Sequence, residues 1–407
     1  MGTVRTVGEH QSVIAELITR PEAVVVPLEQ AVGRVLAQDL VAARPLPAFD
    51  NSAMDGYAVR AADIACAAES SPVTLPVAED IPAGRVDGPA LKAGTAHRIM
   101  TGAPIPDGAD AVVQVEATDG GTTTVAINAA RTAGTHVRTA GEDVQAGETV
   151  LCAGAVLGAS QLGLIAALGE PSVTVIPTVR VLVISTGSEL VEPGQPLLHG
   201  QIHESNGIML ATAVRAAGAV AEQLHFVADD VAAFHEALRS RLAHVDLIVT
   251  SGGVSAGAYE VVKAAFTSQG VEFVKVAMQP GMPQGCGRVT DLPGVNGTAV
   301  VTLPGNPVSA LVSFEVFVRP ALRAALGHPR PHRPRVRARL AEPIDSPPGR
   351  RQFRRGRIDA IGGTVTPVGA PGSHLLAALA RADCLLVVDE ATTHVPAGDE
   401  VEVWLLD

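Results

Sequence analysis

The sequence predicts a multidomain α/β plus β protein built around a doubly wound, mostly parallel α/β domain. Its 407 residues exceed one compact domain, so we expect about two to four. Strand-like and helix-like patterns alternate over 178–327, which is typical of a doubly wound sheet. Short β-branched runs separated by Gly and Pro come before and after this stretch, and they predict small β domains.

Composition and charge exclude several classes of protein. The formal net charge of −12 argues against nucleic acid or an acidic membrane surface as a partner. The four cysteines are far apart and form no C-x-x-C pair, so we expect neither a disulfide framework nor a zinc site. There is no signal-peptide pattern and no run near the roughly 20 apolar residues of a membrane helix. We therefore expect a cytoplasmic protein.

Two helices and several short strands are predicted before residue 178. Val13, Ile14, Leu17 and Ile18 share one face of a helix over 9–20, which Pro21 ends. The predicted strands cover 24–26, 111–115 and 122–127, and a second helix covers 160–168 with Gly169 just beyond its end.

The α/β part is predicted element by element from the change of period along the chain. Strands are expected at 179–184, 219–226, 247–250, 271–276 and 299–303. Helices are expected at 206–217, from 229 or 230 to about 242, at 259–267 and from 307 to about 326. HPRPHRPR after Gly327 is predicted as a linker, and 333–407 as a small all-β module.

Three loops that follow predicted strands share the chemistry of anion binding. They are Ser185-Thr186-Gly187-Ser188-Glu189, Ser251-Gly252-Gly253-Val254-Ser255 and Pro304-Gly305-Asn306-Pro307-Val308-Ser309. Glycines let the backbone approach a ligand, hydroxyls and amides donate, and a helix N-terminus adds positive potential. Ligands of doubly wound sheets bind beyond the carboxyl ends of the strands, so the three loops together predict an anion pocket.

Acidic residues near these loops and in the first β-rich part predict Mg²⁺, because carboxylates repel phosphate unless a hard cation bridges them. They are Asp50, Asp55, Glu142, Asp143, Glu189, Asp229, Asp230 and Glu260. The alternative is that Asp229 or Asp230 only caps a helix and that Glu142 and Asp143 form a solvated turn. Asp55 lies in the low-charge segment SAMDGYA, and this setting favours a functional role for its carboxylate.

The C-terminal arginines separate into two groups. Arg335, Arg337 and Arg339 alternate with apolar residues, which predicts the solvated face of a strand. Arg350 follows Pro-Pro-Gly and could hold a small oxyanion together with Ser373, although a plain turn explains both equally well. The residues His203, His374 and His394 lack metal-type spacing and are interpreted as structural or surface residues.

Several strings taken together resemble the molybdopterin molybdenumtransferase family, which is shared with the C-terminal part of gephyrin. They are PAFDNSAMDGYAV, RIMTGAPIPDGAD, RTAGEDV, STGSEL, SGGVS, TLPGNPVSA and GSHLLAALARADCLLVV. They occur in the family's order, and the resemblance spans about Gly8 to Leu406.

The resemblance implies a homodimer with four domains per subunit. They would be an N-terminal helical and linker domain (1–48 and 141–177), an inserted β domain (49–140), the α/β domain (178–328) and a C-terminal β-barrel (332–407). The implied reaction inserts molybdenum from molybdate into adenylylated molybdopterin, uses Mg²⁺ and releases AMP. Other molybdenum-cofactor synthesis proteins are further implied partners.

The resemblance also implies roles for individual residues. Catalytic positions would be Asp55, Asp143, Glu189, Glu260 and Lys275. Binding positions would be Thr101, Ser185, Gly187, Ser251, Gly252, Gly253, Asn306, Ser309, Arg350 and Ser373. Metal ligands would be Glu189, Asp229 and Asp230. Asp55 and Asp143 would face the α/β domain of the other subunit.

The chain departs from the family pattern at four positions. Gln279 and Met282 stand where many members have lysine, Glu260 replaces the usual Asp, and Ala258 stands where many have Glu. We hypothesise that Arg288 or Lys275 partly substitutes for the missing lysines. The alternatives to the transferase are a molybdopterin-binding or scaffolding paralogue without turnover, and a molybdopterin adenylyltransferase.

Overall fold

A computed structural model describes residues 4–226, 230–239, 241, 244–252, 261–267, 269–290, 297–359 and 361–406. The chain divides into two compact units. The first unit comprises Met1–Ala37, Gly154–Leu157 and Val173–Asp407, and the second comprises Gln38–Ala153 and Gly158–Ser172. None of the helices in the described part of the chain has the length and apolarity that crossing a bilayer requires.

The second unit is built on a five-stranded, mostly antiparallel sheet. In spatial order its strands are Ala111–Gln114, Gly56–Val59, Ala96–Ile99, Val73–Ile81 and Thr124–Ile127. Shorter strands are Leu40–Val41, Asn51–Ser52, Val137–Arg138 and Thr149–Leu151, and one α-helix covers Ala159–Ala167. Gly169 has φ +85° just after this helix, which confirms the predicted helix end.

The first unit contains a seven-stranded sheet. In spatial order its strands are Val4–Arg5, Val271–Val276, Pro283–Val289, Thr298–Leu303, Leu247–Ser251, Arg180–Thr186 and Val220–Phe226. Only Pro283–Val289 runs antiparallel to its two neighbours, and the other adjacent pairs are parallel. The predicted doubly wound, mostly parallel sheet is therefore confirmed.

The sequence does not predict the antiparallel strand Pro283–Val289. Its sequence, PQGCGRV, has the composition of a turn rather than of a strand. The glycines are required by close packing, because a Cβ at Gly287 would collide with the carbonyl oxygen of Gly270. A Cβ at Gly285 would likewise collide with the Thr302 hydroxyl.

Helices cover the sheet of the first unit. They are Val7–Leu17, Asn206–Ala216, Val231–Arg239, Val261–Thr267 and a long helix over 307–325, which consists of Pro307–Ser313, a π-helical turn at Phe314–Val318, and Arg319–Ala325. A short helix, Leu376–Ala380, belongs to the C-terminal part. In the π-helical turn, buried Glu315 accepts hydrogen bonds from Arg333 Nε at 2.8 Å and Nη2 at 3.1 Å, and Arg333 lies in the predicted linker.

The first helix begins and ends earlier than predicted. Thr6 and Glu9 form a capping box, so the helix begins at Val7, and Ile18 is already extended. Val7, Ile14 and Ile18 are buried in the core of the seven-stranded sheet. The first 37 residues thus group with this sheet rather than with 141–153 and 158–172. The division into four domains stays a prediction.

The C-terminal part of the first unit forms a small closed β-barrel. Its strands are Met278–Gln279, Arg351–Asp359, Thr364–Pro367, Arg335–Leu340, Glu400–Leu405 and Cys384–Val388. Cys384–Val388 pairs with both Glu400–Leu405 and Arg351–Asp359, which closes the barrel. Further short pairs join Ile344–Asp345 to His394–Val395, Leu190–Val191 to Ile202–His203, and Val24–Pro27 to Ser172–Val175. Phe353, Leu385 and Trp404 of the barrel share one hydrophobic core with the α/β sheet.

Candidate ligand-binding cleft

A cleft of about 1170 Å³ opens in the first unit at the carboxyl ends of three parallel strands. Thr186 and Ser251 line it at the ends of their strands, and Pro304 lines it directly after Leu303. This is the edge at which the three loops were predicted to meet. Gly187, Gly252 and Asn306 from the predicted set also line the cleft.

The strand-end loops pack closely because small residues, a glycine and two serines, lie where they meet. Gly252 has φ +95°, and a Cβ there would lie 3.0 Å from the Thr186 carbonyl oxygen. The Ser185 and Ser251 hydroxyls are 3.4 Å apart, and both residues are buried. Ser251 faces the cleft, whereas Ser185 supports it from the sheet.

The N-terminus of the long helix forms a second wall of the cleft. Asn306 precedes Pro307, which is the first helical residue and needs no hydrogen-bond acceptor for its nitrogen. Asn306 Nδ2 donates to Ser373 Oγ at 3.0 Å, and the Val308 N–H donates to the Ser373 carbonyl at 3.1 Å. Ser309, nearly buried, lines the same wall. A turn of the barrel is thereby joined to the α/β domain.

The barrel contributes Arg350 and Ser373 to the cleft. Arg350 is exposed and follows the turn that precedes strand Arg351–Asp359. The two residues predicted to hold a small oxyanion therefore share one cleft with the strand-end loops. A guanidinium and a hydroxyl are suitable donors for such an anion.

Gln279 and Met282, which stand in place of the family's lysines, also line the cleft. The segment between them bends through a cis Gln279–Pro280 bond and through Gly281, which has φ +105°. Gln284 Nε2 donates to the Gly281 carbonyl at 2.6 Å and to the Ser313 hydroxyl at 2.7 Å. The departure from the family pattern is thus located inside the site.

Five polar residues that the sequence does not place in the site line the cleft. They are His203, Glu204, Ser205, Asn206 and His374. Asn206 Nδ2 donates to the Gly305 carbonyl at 2.6 Å, and Glu204 Oε1 accepts from the Gly207 N–H at 2.6 Å. The signal that could have found the residues at 203–206 is HESN, a polar run that leads into the helix Asn206–Ala216. His203 and His374 are exposed, but they are cleft residues as well as surface residues.

Glu189 is the residue in the cleft that best fits a magnesium ligand. It is exposed, and its carboxylate lies against Gly187, where a Cβ would approach Oε2 within 2.6 Å. No group of three or more His, Cys, Asp or Glu side chains is poised to hold a metal within the described residues. Mg²⁺ commonly takes one or two carboxylates and completes its shell with water and substrate phosphates. One carboxylate beside the strand-end loops is consistent with that pattern.

Three predicted residues of the first unit have other positions. Asp230 Oδ1 accepts from the Ala233 N–H at 2.7 Å and caps Val231–Arg239, as the helix-cap alternative proposed. Lys275 is exposed on its strand and does not line the cleft, so its catalytic role stays a prediction. Arg288 donates to the carbonyls of Leu17 and Gly297, outside the cleft. The hypothesis that Arg288 replaces the missing lysines is therefore wrong.

Asp55 and Thr101 form a pair within the second unit. Asp55 Oδ1 accepts from the Thr101 N–H at 2.6 Å and from its hydroxyl at 2.8 Å. These two hydrogen bonds, the backbone one first, lower the pKa of Asp55 below its usual value. Asp143, in the same unit, is exposed, and its N–H donates to the Leu46 carbonyl.

The remaining predicted site residues, Asp229, Gly253 and Glu260, lie outside the described residues, as does Ala258.

A doubly wound α/β domain that forms a polar strand-end cleft together with a β-barrel is typical of proteins that bind small molecules beyond the carboxyl ends of their strands. Three family models match the chain in order. They are the MoeA N-terminal region (domain I and II) at residues 5–169, a probable molybdopterin binding domain at 182–324, and the MoeA C-terminal region (domain IV) at 337–406. The chain belongs to the MoeA family of molybdopterin molybdenumtransferases.

Relatives and solved structures agree with this assignment. Molybdopterin molybdenumtransferase 2 of Mycobacterium tuberculosis is 57% identical, over 98% of this chain and 99% of the relative. Molybdopterin molybdenumtransferase 1 of the same species is 38% identical over 99% of both chains. The crystal structure of a molybdopterin biosynthesis MoeA protein from Pyrococcus horikoshii has 32% identity and a TM-score of 0.83, with full coverage of both chains.

Proposed function

We propose that the protein inserts molybdenum from molybdate into adenylylated molybdopterin, with release of AMP, to give molybdenum cofactor. The full-length relatives named molybdopterin molybdenumtransferase support this activity. The observation that carries it is that Arg350 and Ser373, the oxyanion pair, share one cleft with the glycine- and serine-rich strand-end loops. One cleft can thus bind two anions side by side.

The strand-end loops would bind the pterin phosphate and the adenylyl group. Backbone N–H groups beside Gly187 and Gly252 can approach phosphate oxygens closely, and the Ser251 hydroxyl can donate to them. Ser309 adds a hydroxyl from the first turn of the long helix. Arg350 would bind molybdate with charge-assisted hydrogen bonds, and Ser373 would fix its orientation.

Glu189 would hold Mg²⁺, which when bound would supply positive charge against the negative charge of the substrate phosphates. This fits the position of Glu189 next to the Gly187 backbone. We further propose a cytoplasmic homodimer in which Asp55 and Asp143 act at the active site of the partner subunit. Thr101 supports the role of Asp55, because its two hydrogen bonds favour the ionised carboxylate.

A binding-only paralogue is the second candidate. Gln279 and Met282 line the cleft where the family resemblance implies lysines, so two cations are absent from an anion site. The adenylyltransferase alternative finds less support, because the family matches include residues 5–169 and 337–406 as well as the α/β domain.

The test is AMP release from adenylylated molybdopterin by the purified full-length protein, with and without molybdate and Mg²⁺. We expect release to require both and to be lost in Glu189→Gln. Glu192→Gln, which removes an exposed carboxylate outside the cleft, is the matched control and should keep the activity. Tight nucleotide binding without molybdate-dependent release would instead establish the binding-only role.

A further inference from the structure

Arg355 is a buried arginine of the barrel that lies behind the cleft. Only 3% of the surface of Arg355 is exposed, and the residue lies on strand Arg351–Asp359 opposite Leu385. Its guanidinium donates Nη1 to the Gly372 carbonyl at 3.1 Å and Nη2 to the Ala370 carbonyl. These two carbonyls flank Pro371, and Gly372 directly precedes Ser373. The planar guanidinium of Arg355 therefore holds both ends of the segment 370–372.

Arg355 is unusual because its charge is not paired. Within the described residues, no carboxylate lies at ion-pair distance from Arg355, and its Nε has no hydrogen-bond partner. A buried charge without a counter-ion lowers the stability of the fold. The positive charge behind the Ser373 turn favours an anion in front of it.

The segment held by Arg355 is also attached on its other side. Ser373 accepts from Asn306 Nδ2 through its hydroxyl and from the Val308 N–H through its carbonyl. The contacts thus form a continuous path from Arg355 through 370–372 to Ser373 and the N-terminus of the long helix.

We propose that Arg355 is a positioning residue for the oxyanion subsite: it fixes the turn 370–373 so that Ser373 presents its hydroxyl beside Arg350. The identification of the oxyanion as molybdate rests on the proposed function. Lysine cannot replace Arg355, because a single ammonium cannot hold two separated carbonyls as a planar guanidinium does.

The experiment compares Arg355→Lys and Arg355→Gln with Arg357→Gln, which removes an exposed arginine from the same strand. The kinetic readout is the molybdate KM and the kcat of AMP release. We expect Arg355→Lys to raise the KM for molybdate about tenfold, the equivalent of one charge-assisted hydrogen bond, with kcat little changed. Arg355→Gln should raise it further, and Arg357→Gln should not change it.

The second readout is hydrogen exchange of the peptide that contains Val308, because its amide is protected by Ser373. Exchange should be faster in both Arg355 variants and unchanged in Arg357→Gln. An Arg355→Lys protein with wild-type KM and wild-type exchange would overturn the proposal, as would a lower melting temperature with an unchanged KM. If Arg355→Gln does not fold, the molybdate KM and the hydrogen exchange of Arg355→Lys decide the role of Arg355. If the wild-type protein releases no AMP, the proposed function fails, and exchange at Val308 alone decides the role of Arg355.

Discussion

The two ends of the seven-stranded sheet use their polar residues in opposite ways. At the amino ends of the parallel strands, a cavity of about 260 Å³ is lined by Leu17, Asp246 and Arg288. Its charged groups are engaged by the backbone: Arg288 donates to two carbonyls, and Asp246 Oδ2 accepts from the Arg180 N–H at 2.7 Å. At the carboxyl ends, Arg350, Gly187 and Gly252 line the cleft. Polar residues at one end support the fold, and those at the other end are available to a ligand.

The largest expected effect is at the carboxyl end. Arg350→Gln should lower kcat/KM for molybdate about 100-fold, because removing one donor to a developing or bound oxyanion typically costs that much. The melting temperature should stay unchanged, since Arg350 is exposed. Arg381→Gln, an exposed arginine of the same barrel, is the control. Equal activity of the two variants would show that the oxyanion binds elsewhere.

The next effect concerns the helix that supplies Leu17 to the amino-end cavity. His10 of this helix is fully buried against Phe317, and burial, followed by the nearby Arg5, lowers its pKa to about 4. Between pH 6.5 and 4 the unfolded chain binds a proton that the folded chain does not, so stability falls as the pH falls through this window.

His10→Leu should therefore reduce the loss of unfolding free energy between pH 7 and pH 4.5 by about 2–3 kcal/mol. Urea unfolding at the two pH values measures it. His199→Leu, at an exposed position, is the control and should leave this difference between the two pH values unchanged. The same pH dependence in both variants would contradict the assignment to His10.

A somewhat smaller effect tests the amino end directly. Arg288→Gln should lower the free energy of unfolding by about 2 kcal/mol, since it removes hydrogen bonds from a charged donor to two carbonyls. Its molybdate KM should equal that of the wild type. A raised molybdate KM with an unchanged free energy of unfolding would contradict this prediction. It would show that Arg288 acts on the ligand and does not support the fold.

The smallest effect comes from a matched pair of glycines. Gly252 in the cleft and Gly297 in the amino-end cavity have φ of +95° and +70°, so alanine should cost each roughly 1–2 kcal/mol of stability. Only Gly252→Ala should also weaken nucleotide binding, because its Cβ would press on Thr186, whereas a Cβ at Gly297 meets nothing within 4 Å. Binding and thermal unfolding of both variants test this. Equal binding would mean that the Gly252 loop does not contact the ligand.

The sequence predicted the sheet and its three loops because strand and helix periods alternate regularly there. The hypothesis that Arg288 replaces the missing lysines failed because the sequence gives no sign that Pro283–Val289 is antiparallel. In such a strand Arg288 lies opposite Ala299, at the amino end of its neighbour, while Pro283 at the other end lines the cleft. His374 was missed for a different reason, since it reaches the cleft only when the barrel turn docks on the long helix.

The long helix has a consequence for how this gene can be rearranged. Its first turn forms a wall of the cleft, and its π-helical turn places buried Glu315 against Arg333 of the linker. A chain cut after Gly327 would keep every strand of the α/β sheet but lose the two hydrogen bonds from Arg333, so that Glu315 would keep only its longer contact with Arg319 at 3.7 Å. A fusion or domain exchange that preserves the α/β domain should therefore carry the linker as well.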